Sequence, residues 1–202
     1  MTKPQENISD NELLLAIQAG DEQAFATLYR RRHPGIFRYA LQMSGSQALA
    51  EDITQDVFLV LIRESHNFDP ARGSLSAFMF GVARNQLLRR LQRERFYAPL
   101  DSDDGNENQA LPSTSDPLHQ LARTETIDSV RNAILSLPER YREVVVLCDL
   151  EEMSYAETAQ VLGCAIGTVR SRLHRARGLL IEKLRPIKSE QPADVKTARC
   201  FA

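Results

Sequence analysis

Residues 154–177 read Ser-Tyr-Ala-Glu-Thr-Ala-Gln-Val-Leu-Gly-Cys-Ala-Ile-Gly-Thr-Val-Arg-Ser-Arg-Leu-His-Arg-Ala-Arg, the pattern of two helices joined by a tight turn. Ser154 followed three residues later by Glu157 is a capping box, in which the hydroxyl accepts from a first-turn N–H while the carboxylate reaches back. A helix is predicted to start there, with Ala156, Ala159 and Leu162 on its buried side. Gly163 stands where a left-handed residue stops a helix without a Cβ penalty. In the next helix Val169, Leu173, Ala176 and Leu180 recur at spacings of four, three and four, one apolar stripe. Thr168 lies in its first turn, and Arg170, Ser171, His174 and Arg175 face away from the stripe, where a recognition helix carries its base-edge and phosphate donors. A solvated amphipathic hairpin shares the periodicity alone. Capping box, glycine stop and arginine-rich outer face together point to a DNA-binding helix-turn-helix.

Working outward, the 202 residues are 43% hydrophobic and 26% charged, which suits one globular domain or two small ones. The N-terminal stretch 1–10 is polar, and no apolar run approaches the ~20 residues of a membrane span. The expectation is a cytoplasmic protein without membrane insertion. Cys148, Cys164 and Cys200 are odd in number and lack CxxC spacing, so neither a disulfide framework nor a zinc site is indicated.

The formal net charge of −2 argues at first against nucleic acid, but the charges are segregated. Residues 84–97 carry five arginines against Glu94, a balance of +4, and residues 167–185 carry five arginines and Lys183 against Glu182, a balance of +5. Between them, Asp101, Asp103, Asp104, Glu107 and Asp116 give residues 98–117 a balance of −5. Two basic surfaces flank an acidic connector.

That connector, rich in Asp, Asn, Ser and Pro, lacks periodicity and reads as a flexible linker. The predicted fold is therefore all-α: two small helical domains, 10–97 and 118–185, joined by the linker 98–117 and followed by a polar tail, 186–202. In the first domain Leu13, Leu14 and Ile17, then Phe25, Leu28 and Tyr29, mark two helical segments, with Asp21 as N-cap of the second and Pro34-Gly35 as an interruption. A third helix from Gln47 buries Leu49, Ile53, Val57, Val60 and Leu61. A loop with Pro70 and Gly73 leads to a long helix from Leu75 to Phe96. The second domain opens with a helix near 118–137, and Pro138 is placed in the first turn of the next. There Tyr141, Val144, Val145 and Cys148 form a buried face that supports the helix-turn-helix.

Two further constellations stand out. Asp52 and Asp56 are four apart on one helical face, where like charges cost a few tenths of a kcal/mol, ~0.2–0.5, unless a cation outside the helix offsets them. A solvated face and a cationic partner surface are both open readings. On the helix from Leu75, Asn85, Arg89, Gln92 and Arg93 share a face able to meet phosphates, while Phe68, Phe78 or Phe80 could offer stacking surfaces to unpaired bases. Phe78 is expected to be buried.

With the segments 50–58 (Ala-Glu-Asp-Ile-Thr-Gln-Asp-Val-Phe), Phe68-Asp69-Pro70 through Ala83-Arg84-Asn85, and Leu137-Pro138-Glu139-Arg140 ahead of the helix-turn-helix, the chain resembles the extracytoplasmic-function sigma factors, the smallest class of the bacterial sigma-70 family. The resemblance runs over about residues 10–185. It implies a polymerase core partner, with its β and β′ subunits, whose clamp region two binds with Asp52, Gln55, Asp56 and Phe58 and on whose flap region four docks. It also implies that region two reads and opens the −10 element with Phe68, Arg84, Asn85, Arg89 and Arg93. Region four, a helix-turn-helix of the winged-helix-like type, would read the −35 element with Thr168, Arg170, Ser171, His174 and Arg175. An anti-sigma factor is the further partner implied, and no cofactor. The chain departs from the family in having Phe78 where Trp is common and Ala165 where Pro is common; Gly178 inside the recognition helix costs ~1 kcal/mol against Ala.

No enzyme is expected: His33, His66, His119 and His174 are scattered, without a metal-binding pair or a phosphate-cradling glycine loop. The alternative is a stand-alone helix-turn-helix regulator that dimerises or binds an effector through its N-terminal half. It accounts for Arg170–Arg177 equally, but has no need of the acidic helix, the phenylalanine-bearing loop and the second basic helix together.

Overall fold

The computed structural model describes residues 8–97 and 127–184, and every regular element among them is helical. Helix α1 (Asp10–Gln18) starts on a capping box between Ser9 and Glu12 and buries Leu13 and Leu14. Helix α2 (Glu22–Ser44) is capped by Asp21, whose carboxylate accepts from the N–H groups of Gln23 and Ala24. It ends on Gly45 in the left-handed conformation, φ 72°. Ser46 caps α3 (Gln47–Glu64), accepting from the Leu49 N–H. Two short 3-10 turns, Ser65–Asn67 and Pro70–Arg72, lead into α4 (Leu75–Tyr97), at whose start Ser74 Oγ accepts from the Ala77 N–H.

The expected interruption of α2 at Pro34-Gly35 does not occur: α2 runs unbroken through Pro34. Proline removes one helical hydrogen bond and crowds the carbonyl four residues back, but Pro34 lies on the exposed side of α2. Burial of Leu28, Ile36, Tyr39 and Ala40 on the opposite face holds the helix together.

The second helical cluster consists of α5 (127–135), α6 (Glu139–Val145), a π-helical turn (Val146–Leu150), α7 (Tyr155–Leu162) and α8 (Ile166–Leu184). Pro138 caps α6 rather than lying within its first turn, because its ψ of 139° is extended. The π turn is fixed by the Glu151 N–H reaching five residues back to the Val146 carbonyl at 3.0 Å. Both halves of the Ser154/Glu157 capping box form, and Gly163 closes α7 at φ 62°. The buried face of α7 is Thr158, Ala159, Val161 and Leu162, while Ala156 is exposed; the expected Ala156 burial fails because α7 rolls its 158/161 edge inward. On α8, Val169, Leu173 and Ala176 are buried, at about 1.5–3 kcal/mol for each of the larger two.

The clusters pack on each other, α7 against α4 and α6 with the π turn against α2, so one apolar core passes from Leu28, Ile36 and Met79 to Val144, Leu147 and Leu173. The segment 98–126, which contains the whole of the expected linker and the start of the helix expected near 118–137, and the tail 185–202 lie outside the described residues.

Candidate nucleic-acid interface

With Val169, Leu173 and Ala176 turned into the core, α8 holds Arg170, Ser171, His174 and Arg175 exposed on one side, and Thr168 half-buried at its start. Ser171 Oγ donates to the Thr168 carbonyl at 3.0 Å, a local bond that fixes its hydroxyl. The Arg170 guanidinium carbon lies 5.8 Å from the centroid of Tyr155, at cation–π range. Tyr141 is held below its ordinary pKa, first by its hydrogen bond with Arg175 and further by Arg140, whose guanidinium stands 4.8 Å from the ring. Arg177 is committed elsewhere. Its Nε and Nη2 donate to the two carboxylate oxygens of Asp149 at 3.1 and 2.6 Å, tying α8 to the π turn.

On α4 the predicted group divides. Asn85, Arg89 and Arg93 are exposed on one face. Arg84 points the other way, into the contact with the second cluster, where its Nε donates to Glu143 at 2.8 Å. Glu143 is 4% exposed, and burial pushes its carboxyl up while Arg84 opposes the rise. Phe80 does not offer a stacking surface: it is buried edge-on to Tyr39, centroids 5.6 Å apart, because position 80 falls on the core side of α4 with Met79 and Ala83. Phe68 and Phe78 are half-buried against each other at 5.7 Å, so the expected burial of Phe78 is partial and Phe68 keeps an accessible edge.

On α3, Asp52 and Gln55 are exposed and Asp56 is half-buried. The like-charge pair meets its cation within the domain: Arg90 of α4 donates through Nη1 to Asp52 at 2.8 Å and through Nη2 to Asp56 at 2.6 Å. A partner is thus not needed to explain the two aspartates. Arg90 lies 34 and 38 positions away, beyond any local pattern, and only the packing of α3 on α4 exposes the relation. Phe58 is 3% exposed, its ring 4.6 Å from Tyr29 and 6.2 Å from Phe25. It forms the floor of a groove of about 440 Å³ bordered by Tyr29, His33, Gln55, Leu59 and Ile62, so it shapes the surface beside Gln55 rather than projecting from it.

Among the described residues no group of three or more His, Cys, Asp or Glu side chains could hold a metal ion, and no helix is long and apolar enough to cross a membrane.

Comparison with known proteins places this geometry. Residues 28–97 match the family model of sigma-70 region 2, and residues 127–180 that of sigma-70 region 4. The chain is 34% identical over 179 residues to the ECF RNA polymerase sigma factor SigE of Mycolicibacterium smegmatis, spanning 85% of this chain and 66% of that protein. It is 35% identical over 176 residues to the ECF RNA polymerase sigma factor SigM of Mycobacterium tuberculosis, covering 87% and 85% respectively. The fold is similar to that of the sigma factor RpoE crystallised with the anti-sigma factor NepR from Bartonella quintana, with a TM-score of 0.65 at 24% identity over 82% of this chain and 99% of that one.

Proposed function

Since the chain belongs to the extracytoplasmic-function sigma factors of the sigma-70 family, we propose that it binds the RNA polymerase core in the cytoplasm and directs initiation at promoters bearing matched −35 and −10 elements. It performs no catalysis of its own. Region two spans 10–97 and region four 118–185, with 98–117 between them. Asp52, Gln55 and Asp56 meet the β′ side of the core from α3, on a surface that Phe58 supports from below; region four docks on β. Thr168, Arg170, Ser171, His174 and Arg175 read the upstream duplex from the major groove. Asn85, Arg89, Arg93 and, once released from Glu143, Arg84 meet the DNA backbone where it opens, with Phe68 beside an unstacked base. An anti-sigma factor holds the protein inactive.

The observation that carries this reading is the presence in one chain of two separate exposed cationic faces, on α8 and α4, with an acidic face on α3 next to the second. A duplex-binding regulator uses only the first. The test is run-off transcription with core polymerase and genomic promoter fragments. New, sequence-specific transcripts are expected; binding without initiation would point to a stand-alone regulator. In the same assay Arg89→Ala with Arg93→Ala is expected to abolish permanganate reactivity near the start site while the upstream footprint persists, and equal loss of both signals would overturn the division of labour.

A further inference from the structure

Two arginines on different helices stand together without a carboxylate between them. Arg38, Arg84, Arg90, Arg131 and Arg177 each belong to an ion pair. Arg140 on α6 and Arg175 on α8 form none among the described residues, yet both meet the side chain of Tyr141. Helical phase is the reason. α6 packs on α8 with Tyr141, Val144 and Val145 buried on one side and Val169, Leu173 and Ala176 on the other. A neighbouring position is turned by about 100°, so Arg140 and Arg175 fall on the rim where the two helices meet, and both are exposed. The Tyr141 ring is buried at that contact, 8% exposed, and its hydroxyl reaches Arg175.

This arrangement favours an anion. Two like charges held close on a surface repel unless something offsets them. The phenol reports the local field: it is held below its ordinary 10, first by the hydrogen bond with Arg175 and, against burial, by the charges of Arg140 and Arg175. A place that favours a phenolate favours other anions. The Arg140 guanidinium carbon stands 4.8 Å from the ring centroid, so Tyr141 holds both arginines through contacts that leave most of their N–H groups unspent. Two forked donors at one place match the several oxygens of a phosphate. Arg175 already lies on the face assigned to the upstream duplex, and the phosphate within reach is one of that duplex's backbone.

We propose that Arg140, Tyr141 and Arg175 form a clamp for one backbone phosphate of the upstream duplex, in which the two arginines bind the phosphate and Tyr141 is the positioning residue that keeps them together. Helix α6 thereby joins α8 as a DNA-contacting element. The proposal rests on the assignment of α8 to that duplex.

The experiment uses the holoenzyme and the promoter duplex that run-off transcription identifies, with its upstream phosphates replaced one at a time by neutral methylphosphonates. The wild type is expected to lose affinity by about fivefold at one linkage. In Arg140→Ala, affinity for the unmodified duplex falls by about the same factor, the slope of log affinity against log salt falls by about one, and the neutral linkage costs nothing further. Tyr141→Phe keeps the buried ring and removes only the hydroxyl; it is expected to shrink the penalty at that linkage while base preference stays as in the wild type. A role in packing alone would leave the methylphosphonate profile unaltered. That result in Arg140→Ala overturns the clamp, and in Tyr141→Phe it overturns the positioning role. Arg170→Ala run in parallel separates the proposal from its premise: relaxed base preference in Arg170→Ala with an unaltered profile in Arg140→Ala strikes the clamp alone, whereas no effect of either on upstream binding strikes the assignment of α8 as well.

Discussion

Arg170 and Arg175 share a face of α8 but are restrained differently. Arg170 lies near the helix start beside the exposed ring of Tyr155, whereas Arg175 is bonded to Tyr141. The first is free to adjust to a base edge, and an arginine bidentate to guanine is worth ~1–3 kcal/mol of discrimination. Arg170→Ala is therefore expected to relax preference at one or two upstream base pairs. Arg175→Ala should weaken all sequences alike and reduce the salt dependence by about one phosphate contact. Selection of a randomised upstream element at two salt concentrations distinguishes them, and an intact base preference in Arg170→Ala removes its assignment. Tyr39 carries a prediction of a different kind. Its ring is fully buried and its hydroxyl has no hydrogen-bond partner among the described residues, and burial is the chief reason its pKa is raised. An unsatisfied buried hydroxyl costs about 1–3 kcal/mol. Tyr39→Phe should leave urea stability unchanged or increase it by about 1 kcal/mol, and a loss of 2 kcal/mol would reveal a partner. Individual residues were legible where their neighbours are close in sequence. The family resemblance places Arg84 beside Asn85 on the DNA, and only Glu143, 59 positions away, sets it apart from the exposed face of Asn85, Arg89 and Arg93.

Besides their apolar packing, helices α3 and α4 are bridged by the guanidinium of Arg90. Arg90 lies between Asp52 and Asp56, both partly open to water, so each ion pair is of the surface kind, worth about 0–1 kcal/mol. Removing the cation also restores the repulsion between the aspartates. Arg90→Ala is expected to lower urea stability by about 1 kcal/mol at low salt and by less at high salt, and Asp52→Asn with Asp56→Asn in that background should recover part of the loss. No change at low salt would mean that the bridge contributes nothing. It also follows that polymerase binding is better probed with asparagine than with lysine at positions 52 and 56, since lysines would crowd Arg90. Elements whose ends are set by local chemistry were readable from the chain. Asp21, Ser154 with Glu157, and Gly163 all act as their types suggest, because a cap involves residues within four positions of each other. Pro34 misled for the converse reason: a local rule predicted a break that tertiary burial on the far side of α2 overrides.

For the whole molecule, proton binding follows the contact between the two clusters. Burial raises the carboxyls of Glu143 and Glu151 above the ordinary 4.5, against Arg84 and Arg38 respectively. Glu157 is lowered below 4.5, chiefly by the Ser74 hydroxyl. A carboxyl raised on folding gives stability that is present below its unfolded pKa and lost as pH rises through its folded value; a lowered one gives the reverse. Acidification from pH 8 toward 4.5 should therefore raise the contribution of Glu143 and Glu151, and further acidification should remove that of Glu157. Urea midpoints measured across this range in wild type and in Glu143→Gln with Glu151→Gln isolate the first effect: the difference between the two proteins is expected to shift with pH in favour of the wild type as pH falls, and a pH-independent difference would contradict it. The π turn at 146–150 acts at this scale too. An α-helix advances about 100° and 1.5 Å per residue, so the one surplus residue in this turn behaves as a phase offset: it sets the azimuth at which the chain leaves for Glu151 and α7. Shortening the turn by a single residue would restore an ordinary helical ladder, yet swing everything downstream by about a quarter of a revolution. The angular setting between the two halves of the molecule is in this sense written as a residue count, and a length change here would be felt across the protein while a change of side chain at the same place would be felt locally.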